Sequence, residues 1–144
     1  METVEWSEAL QLDFAPMDTA HHTFVDLLAQ AQTATDEALP TAWAALLVHM
    51  EKQFGEEDQW MRETHFASAG NHLLQHHVVL NLLREGAAMA RRGQLAPVRE
   101  MAGELAGWFF KHTQSMDAAL ALHMRRQAMP KLRQRDGVNH GKPD

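Results

Sequence analysis

Apolar residues recur every three to four positions along four stretches of this chain, each bounded by a breaker or a capping residue. This periodicity constrains the fold most, because side chains three and four apart share one face of an α-helix, whereas a strand requires alternation. A first helix is expected from near Asp18, a good N-cap, to about Glu37, with Phe24, Val25, Leu27, Leu28 and Ala31 as its stripe. A second, after Pro40, runs from about Thr41 to Glu63 and carries Trp43, Leu46, Leu47, Met50, Phe54 and Met61. Thr64 to Ala67 form a turn, Ser68 caps a third helix reaching about Arg92, and Gly93 stops it. The fourth begins near Pro97, tolerated in a first turn, and passes Trp108, Phe109 and Leu120 to end near Gln127, short of Pro130. Four helices with short loops predict an all-α, antiparallel up-down-up-down four-helix bundle. Residues 1–16 lack the periodicity but hold Trp6, Leu10, Leu12, Phe14 and Pro16, so they are expected to lie across the bundle as an ordered arm. The organisation read here is a bundle over residues 1–127 and a polar, basic, disordered tail over 128–144.

With 144 residues the chain suffices for one domain with a real core. It has no Cys, which rules out disulfides, zinc ribbons and iron–sulfur clusters and permits a reducing compartment. The N-terminus is acidic where a secretory signal would be basic, and no stretch approaches the ~20 apolar residues of a membrane span. A cytoplasmic protein without a membrane role is therefore expected. The net charge of −6 is unevenly spread: from Arg125 onward six Lys/Arg face two Asp, so this end carries +4 and the remainder −10. An acidic body of this kind argues against nucleic acid as a partner.

The chemistry lies in His21, Gln53, Glu57, His72, His76, His112 and Asp117, spread over all four helices. His72 and His76 are four apart, so both can aim a ring nitrogen at one ion. In an antiparallel bundle, inward residues near mid-height converge, and Glu57 and Asp117 supply carboxylates that can bridge two cations. Imidazole with carboxylate favours iron, manganese or zinc over calcium or magnesium, with iron preferred here. His112 and Asp117 are five apart, about 140° around an α-helix, so they should not share a face but could flank a pair of ions. Gln53 lies four before Glu57 and could offer an amide oxygen or make a core hydrogen bond. His49, a turn from Gln53 on the same face, is a spare ligand or a group that supports the ligands from behind. His22 and His77 point to a flank or solvent, and His65, His123 and His140 read as loop, surface and tail. No Glu has a His three residues later, as ferritin-like di-iron bundles require.

From Val4 to Leu122 the chain resembles the bacteriohemerythrins, in the hemerythrin-like family. The resemblance rests on Trp6, Met17-Asp18-Thr19-Ala20-His21, the segment Gln53-Phe54-Gly55-Glu56-Glu57-Asp58-Gln59-Trp60-Met61, His72-x-x-x-His76 and Trp108-x-x-x-His112-x-x-x-x-Asp117. It implies two irons, bridged by carboxylates and an oxo or hydroxo group. His72, His76 and His112 would hold one iron, His21 and a second-helix His the other, and Glu57 and Asp117 would bridge. Here Gln53 replaces that second-helix His, Thr113 follows His112 where an aliphatic residue is usual, and Ala20 replaces a Gln before His21.

The function expected is a non-haem di-iron protein that binds O2, peroxide or another small diatomic ligand for sensing, delivery or storage, with a weakened second-iron site. Two rivals stand beside it. One is an oxidase- or peroxidase-like enzyme, distinguished by catalytic turnover. The other is a single-metal protein, with three imidazoles and water around iron or zinc.

Overall fold

The computed structural model describes residues 3–139, with side-chain positions through Ala128. Its helices are α1 (Ala15–Thr33), α2 (Leu39–Glu63), α3 (Ala69–Arg91), α4 (Leu95–His112) and α5 (Ala118–Asn139), with a π-helical turn at Thr113–Asp117 joining the last two. No strand occurs among the described residues. α4, the π turn and α5 make up the fourth rod. α1 packs on α2 and α4, α2 on α3, and α3 on α4, which closes a four-helix bundle.

Local chemistry explains where the helices begin and end. Pro16 and Pro40 sit in the first turns of α1 and α2, where an N–H has no intrahelical partner to lose. α1 therefore starts at Ala15, ahead of the expected Asp18, and Asp18 is not an N-cap. Its buried carboxylate turns back to accept the N–H of Leu12 at 2.8 Å, that of Phe14 at 3.1 Å and the Gln11 amide at 3.1 Å. The arm is thereby fastened, and Trp6 stacks on His22 with centroids 3.4 Å apart. Arg125 of α5 also donates to the Leu12 carbonyl.

α1 ends at Thr33 rather than Glu37, because Ala34 turns extended and the Thr35 hydroxyl accepts the Ala38 N–H at 3.2 Å, starting the turn into α2. α3 stops at Gly93, whose φ of +79° suits a residue without Cβ. The Gln94 and Gly93 N–H groups close back on Met89 and Ala90. α2 ends by the same motif at His65, φ +52°, with Phe66 packed against Met61.

Two expectations about the fourth rod are corrected. It is not one uninterrupted α-helix, because Thr113–Asp117 adopts a π turn. It also does not stop near Gln127: the helical backbone continues through Pro130 to Asn139. Residues 140–144 of the expected tail lie outside the described residues.

The core forms two apolar layers. The larger holds Phe24, Leu28, Trp43, Leu46, Met50, Phe54, Leu83, Val98 and Phe109, and the smaller holds Met17, Met61, Leu120 and Ala121. On α1, α2 and the fourth rod, candidate ligands lie between the two layers: His21 between Met17 and Phe24, Glu57 between Phe54 and Met61, and His112 and Asp117 between Phe109 and Leu120. Ligand-bearing positions are thus held at one depth by packing on both sides. No described helix is long and apolar enough to cross a membrane.

Candidate metal centre

Glu57, His72, His76, His112 and Asp117 each bring one ligand atom to a common point, with all five atoms within 4.8 Å of one another and all five side chains buried. The π turn makes this possible. With i to i+5 bonding it rotates Asp117 onto the face of His112, and His112 Nε2 lies 3.1 Å from Asp117 Oδ1. The expectation that the two could not share a face assumed 3.6 residues per turn, which this segment does not have.

The histidine nitrogens approach the carboxylates closely, for the most part without hydrogen-bond geometry. His21 Nε2 is 3.0 Å from Asp117 Oδ2, His76 Nε2 is 3.2 Å from Glu57 Oε1, and His72 Nε2 is 3.0 Å from Asp117 Oδ1. Of these approaches only the last has hydrogen-bond geometry. His21 Nε2, Glu57 Oε1, His76 Nε2, His112 Nε2 and Asp117 Oδ2 are all buried without a hydrogen-bond partner. Orphaned buried polar atoms cost about 1–3 kcal/mol each, and five of them on one centre are accounted for by a cation that accepts their lone pairs. Three imidazoles and two carboxylates fit a divalent transition metal, iron included.

Neighbours hold the ring nitrogens in the ligating tautomer. His76 Nδ1 donates to Asp58 Oδ1 at 2.8 Å and His112 Nδ1 to Gln75 Oε1 at 2.9 Å, which leaves each Nε2 as a lone pair facing inward. Phe54 stacks on His76 (3.8 Å, 6°) and Trp108 on His112 (4.4 Å, 19°), fixing both ring planes. Sequence reasoning missed Asp58 and Gln75. Each adjoins a ligand candidate in the chain but points about 100° away from it, onto a neighbouring helix.

The other expected residues divide. His21 joins the group through Asp117, and its ring edge packs on Phe109 at 5.3 Å. Gln53 is buried beside Glu57 but does not offer its oxygen: Oε1 faces His49 Nε2 at 2.8 Å, while Nε2 donates to Glu57 Oε2 over a long 3.5 Å. These contacts are the core hydrogen bonds expected of Gln53 as the alternative to ligation. His77 is exposed, and His123, expected at the surface, is half-buried with a 2.8 Å contact to the Thr64 hydroxyl. The Thr113 hydroxyl is fully buried and unpartnered.

Electrostatics follow from this packing. Burial alone would lower the pKa of His72, yet its hydrogen bond to Asp117 and the nearby Glu57 carboxylate outweigh that and raise it to about 9. His21 and His76 are raised against the same burial by Asp117 and by Asp58 with Glu57. Burial would raise Asp117, but His112, His21 and His72 hold it well below the ordinary carboxylate range. In the metal-free protein, His72 binds a proton more tightly folded than unfolded. Its contribution, on the order of 3 kcal/mol, is complete below about 6.5 and is lost as pH rises through 9. Chelator-treated protein should therefore lose urea stability between pH 6.5 and 9.5. Metal-loaded protein should lose less there, its ligands being already deprotonated.

The class these features define is an all-α bundle with a buried histidine–carboxylate metal group between two apolar layers. No family model matches the chain. It is 36% identical over 117 residues to the bacteriohemerythrin of Ralstonia nicotianae (strain ATCC BAA-1114 / GMI1000), a match covering 81% of this chain and 85% of that protein. The chain belongs to the hemerythrin-like family. Together with the buried group, this membership points to a non-haem iron-binding protein.

Proposed function

We propose that the chain binds O2, or a related small ligand such as peroxide, at a non-haem iron centre used for sensing, delivery or storage. The observation that carries this reading is the set of five buried ligand atoms within 4.8 Å of one another, among which Glu57 Oε1, His76 Nε2 and His112 Nε2 have no hydrogen-bond partner. His72, His76 and His112 would hold one iron, and Glu57 and Asp117 would extend from it toward a second iron attended by His21. Reduced iron bound there would supply the electrons for binding O2.

The chain's residues shape that chemistry by position. Asp58 and Gln75 keep His76 and His112 oriented, Phe54 and Trp108 keep their rings still, and the two apolar layers keep water from the ligand side chains. The unpartnered Thr113 hydroxyl adds a hydrogen-bonding group where the family usually has an aliphatic side chain. A more polar surrounding shields a bound ligand less from water and should favour autoxidation.

Anaerobic loading with Fe(II), desalting and iron analysis test the proposal, followed by air and then deoxygenation under an optical probe. Retained iron with a reversible spectral change supports it. No retained iron overturns it, and catalytic consumption of peroxide would favour the enzyme reading. A single-metal reading draws on the orientation of Gln53, which leaves the second position short of a ligand. Gln53→His should accordingly retain the second iron at least about tenfold more tightly, the lower end of the scale on which even outer-shell partners act, and hold its oxygenated form longer. Equal iron affinity and equal autoxidation in the two proteins would contradict this.

A further inference from the structure

Gln53 sits one turn from Glu57 at the centre of the bundle, yet its amide oxygen is directed away from the metal group, and three side-chain and main-chain contacts explain why. His49 Nε2 lies 3.1 Å from the carbonyl oxygen of Ala20 on α1. A carbonyl can only accept, so this nitrogen carries the proton. The same N–H lies 2.8 Å from Gln53 Oε1. Were the amide reversed, its NH2 would face the imidazole N–H at that distance, donor against donor. The amide orientation is therefore dictated by a main-chain group on another helix, and its NH2 is left facing Glu57 Oε2.

We propose that His49 is a positioning residue: it locks Gln53 as an N–H donor toward Glu57, so that Gln53 is not a metal ligand and the position beside it retains a second ion only weakly.

The chain of contacts runs from Ala20 through His49 and Gln53 to Glu57, joining the main chain next to His21 to one of the two carboxylates of the centre. Its effect on Glu57 is asymmetric. Oε1 is left toward His76 and His72, at 3.2 and 3.5 Å, while Oε2 is occupied by the Gln53 donor. A bridging carboxylate needs both oxygens, and the lock competes for the one nearer Gln53. Removing the imidazole N–H frees the amide to rotate, which both releases Oε2 and turns the Gln53 oxygen inward.

The metal consequence rests on the proposed iron centre, but the lock itself is a property of the metal-free chain, and the two are tested separately. Zinc is the probe, since it is diamagnetic. In wild-type protein, long-range 1H–15N spectra should show neutral His49 with its proton on Nε2, and the Gln53 amide protons should be protected from exchange. The Gln53 side-chain 13C carbonyl signal should not move when zinc is added. In His49→Leu, the second equivalent of zinc should bind about 10-fold or more tightly than in wild type.

Three results would each overturn the proposal: a His49 proton on Nδ1 alone, a Gln53 carbonyl signal that shifts with the second zinc while His49 is in place, or unchanged second-zinc affinity in folded His49→Leu. Should that variant not fold, the wild-type spectra decide alone. If wild-type protein retains neither zinc nor iron, the metal proposal fails, while the tautomer and amide protection in metal-free protein still decide the lock.

Discussion

Asp117→Asn is expected to weaken iron or zinc binding by at least about 100-fold, the upper end of what even outer-shell substitutions cost, because Asp117 is a direct neighbour of three histidines of the candidate centre. The substitution keeps the size of the side chain and removes its charge. His21, His72 and His112 all lie within 3.1 Å of its two oxygens in the wild-type protein, and among the described residues no other carboxylate approaches all three. The same change should lower the pKa of His72 from about 9 toward the ordinary 6.5, since burial opposes the charged ring and the Asp117 hydrogen bond is the largest influence raising it. Metal titration and histidine NMR of the metal-free protein read the two effects independently. Tight metal binding by Asp117→Asn would show that Asp117 is not a ligand, and an unmoved His72 would show that Glu57 alone carries the shift.

Gly86→Ala should destabilise the fold by about 2 kcal/mol, although alanine is the better helix former. A Cβ at this position would stand 2.7 Å from Trp43 Nε1 and 2.9 Å from two further indole carbons. Trp43 is almost fully buried, and its N–H donates to the Leu83 carbonyl at 2.9 Å, so the ring cannot withdraw without losing that bond. Overpacking of about 1–3 kcal/mol and a hydrogen bond of about 1 kcal/mol oppose a propensity gain of about 1 kcal/mol. The midpoint of thermal unfolding should fall by roughly 4–8 °C. Gly55→Ala supplies the contrast: that glycine is exposed, in mid-helix, with nothing within 4 Å of an added Cβ. Here the propensity stands unopposed, and stability should rise by about 0.5–1 kcal/mol. A stabilised Gly86→Ala would mean that Trp43 has room to move.

Much of the architecture was legible because helical periodicity is a local property. The stripe of Phe24, Val25 and Leu28, or of Trp43, Leu46 and Met50, declares a buried face whatever it packs against. Pro40 and Gly93 mark ends through constraints on their own backbone. Candidate ligands were legible for a related reason: histidines and carboxylates on an apolar face are costly to bury unless something satisfies them. Other features depended on distant partners. Asp18 is a reasonable N-cap by sequence, yet three donors from the arm claim its carboxylate. His123 reads as a surface residue until Thr64, fifty-nine positions away, meets its ring.

The sequence by itself determined four amphipathic rods and placed ligand-type side chains on each of them at matching depth, since both follow from the spacing of residue types along a helix. Tertiary structure decided which atoms meet. The π turn at Thr113–Asp117 breaks the 3.6-residue period on which any reading of spacing rests, and so places Asp117 under His112. Asp58 and Gln75 engage Nδ1 of His76 and His112 from across helix boundaries and leave Nε2 of each facing the candidate centre. The polarity of Gln53 is likewise set by an imidazole and a carbonyl on α2 and α1. An amide or an imidazole has the same identity in either orientation, so only the groups brought against it in the folded bundle determine whether it donates, accepts or ligates.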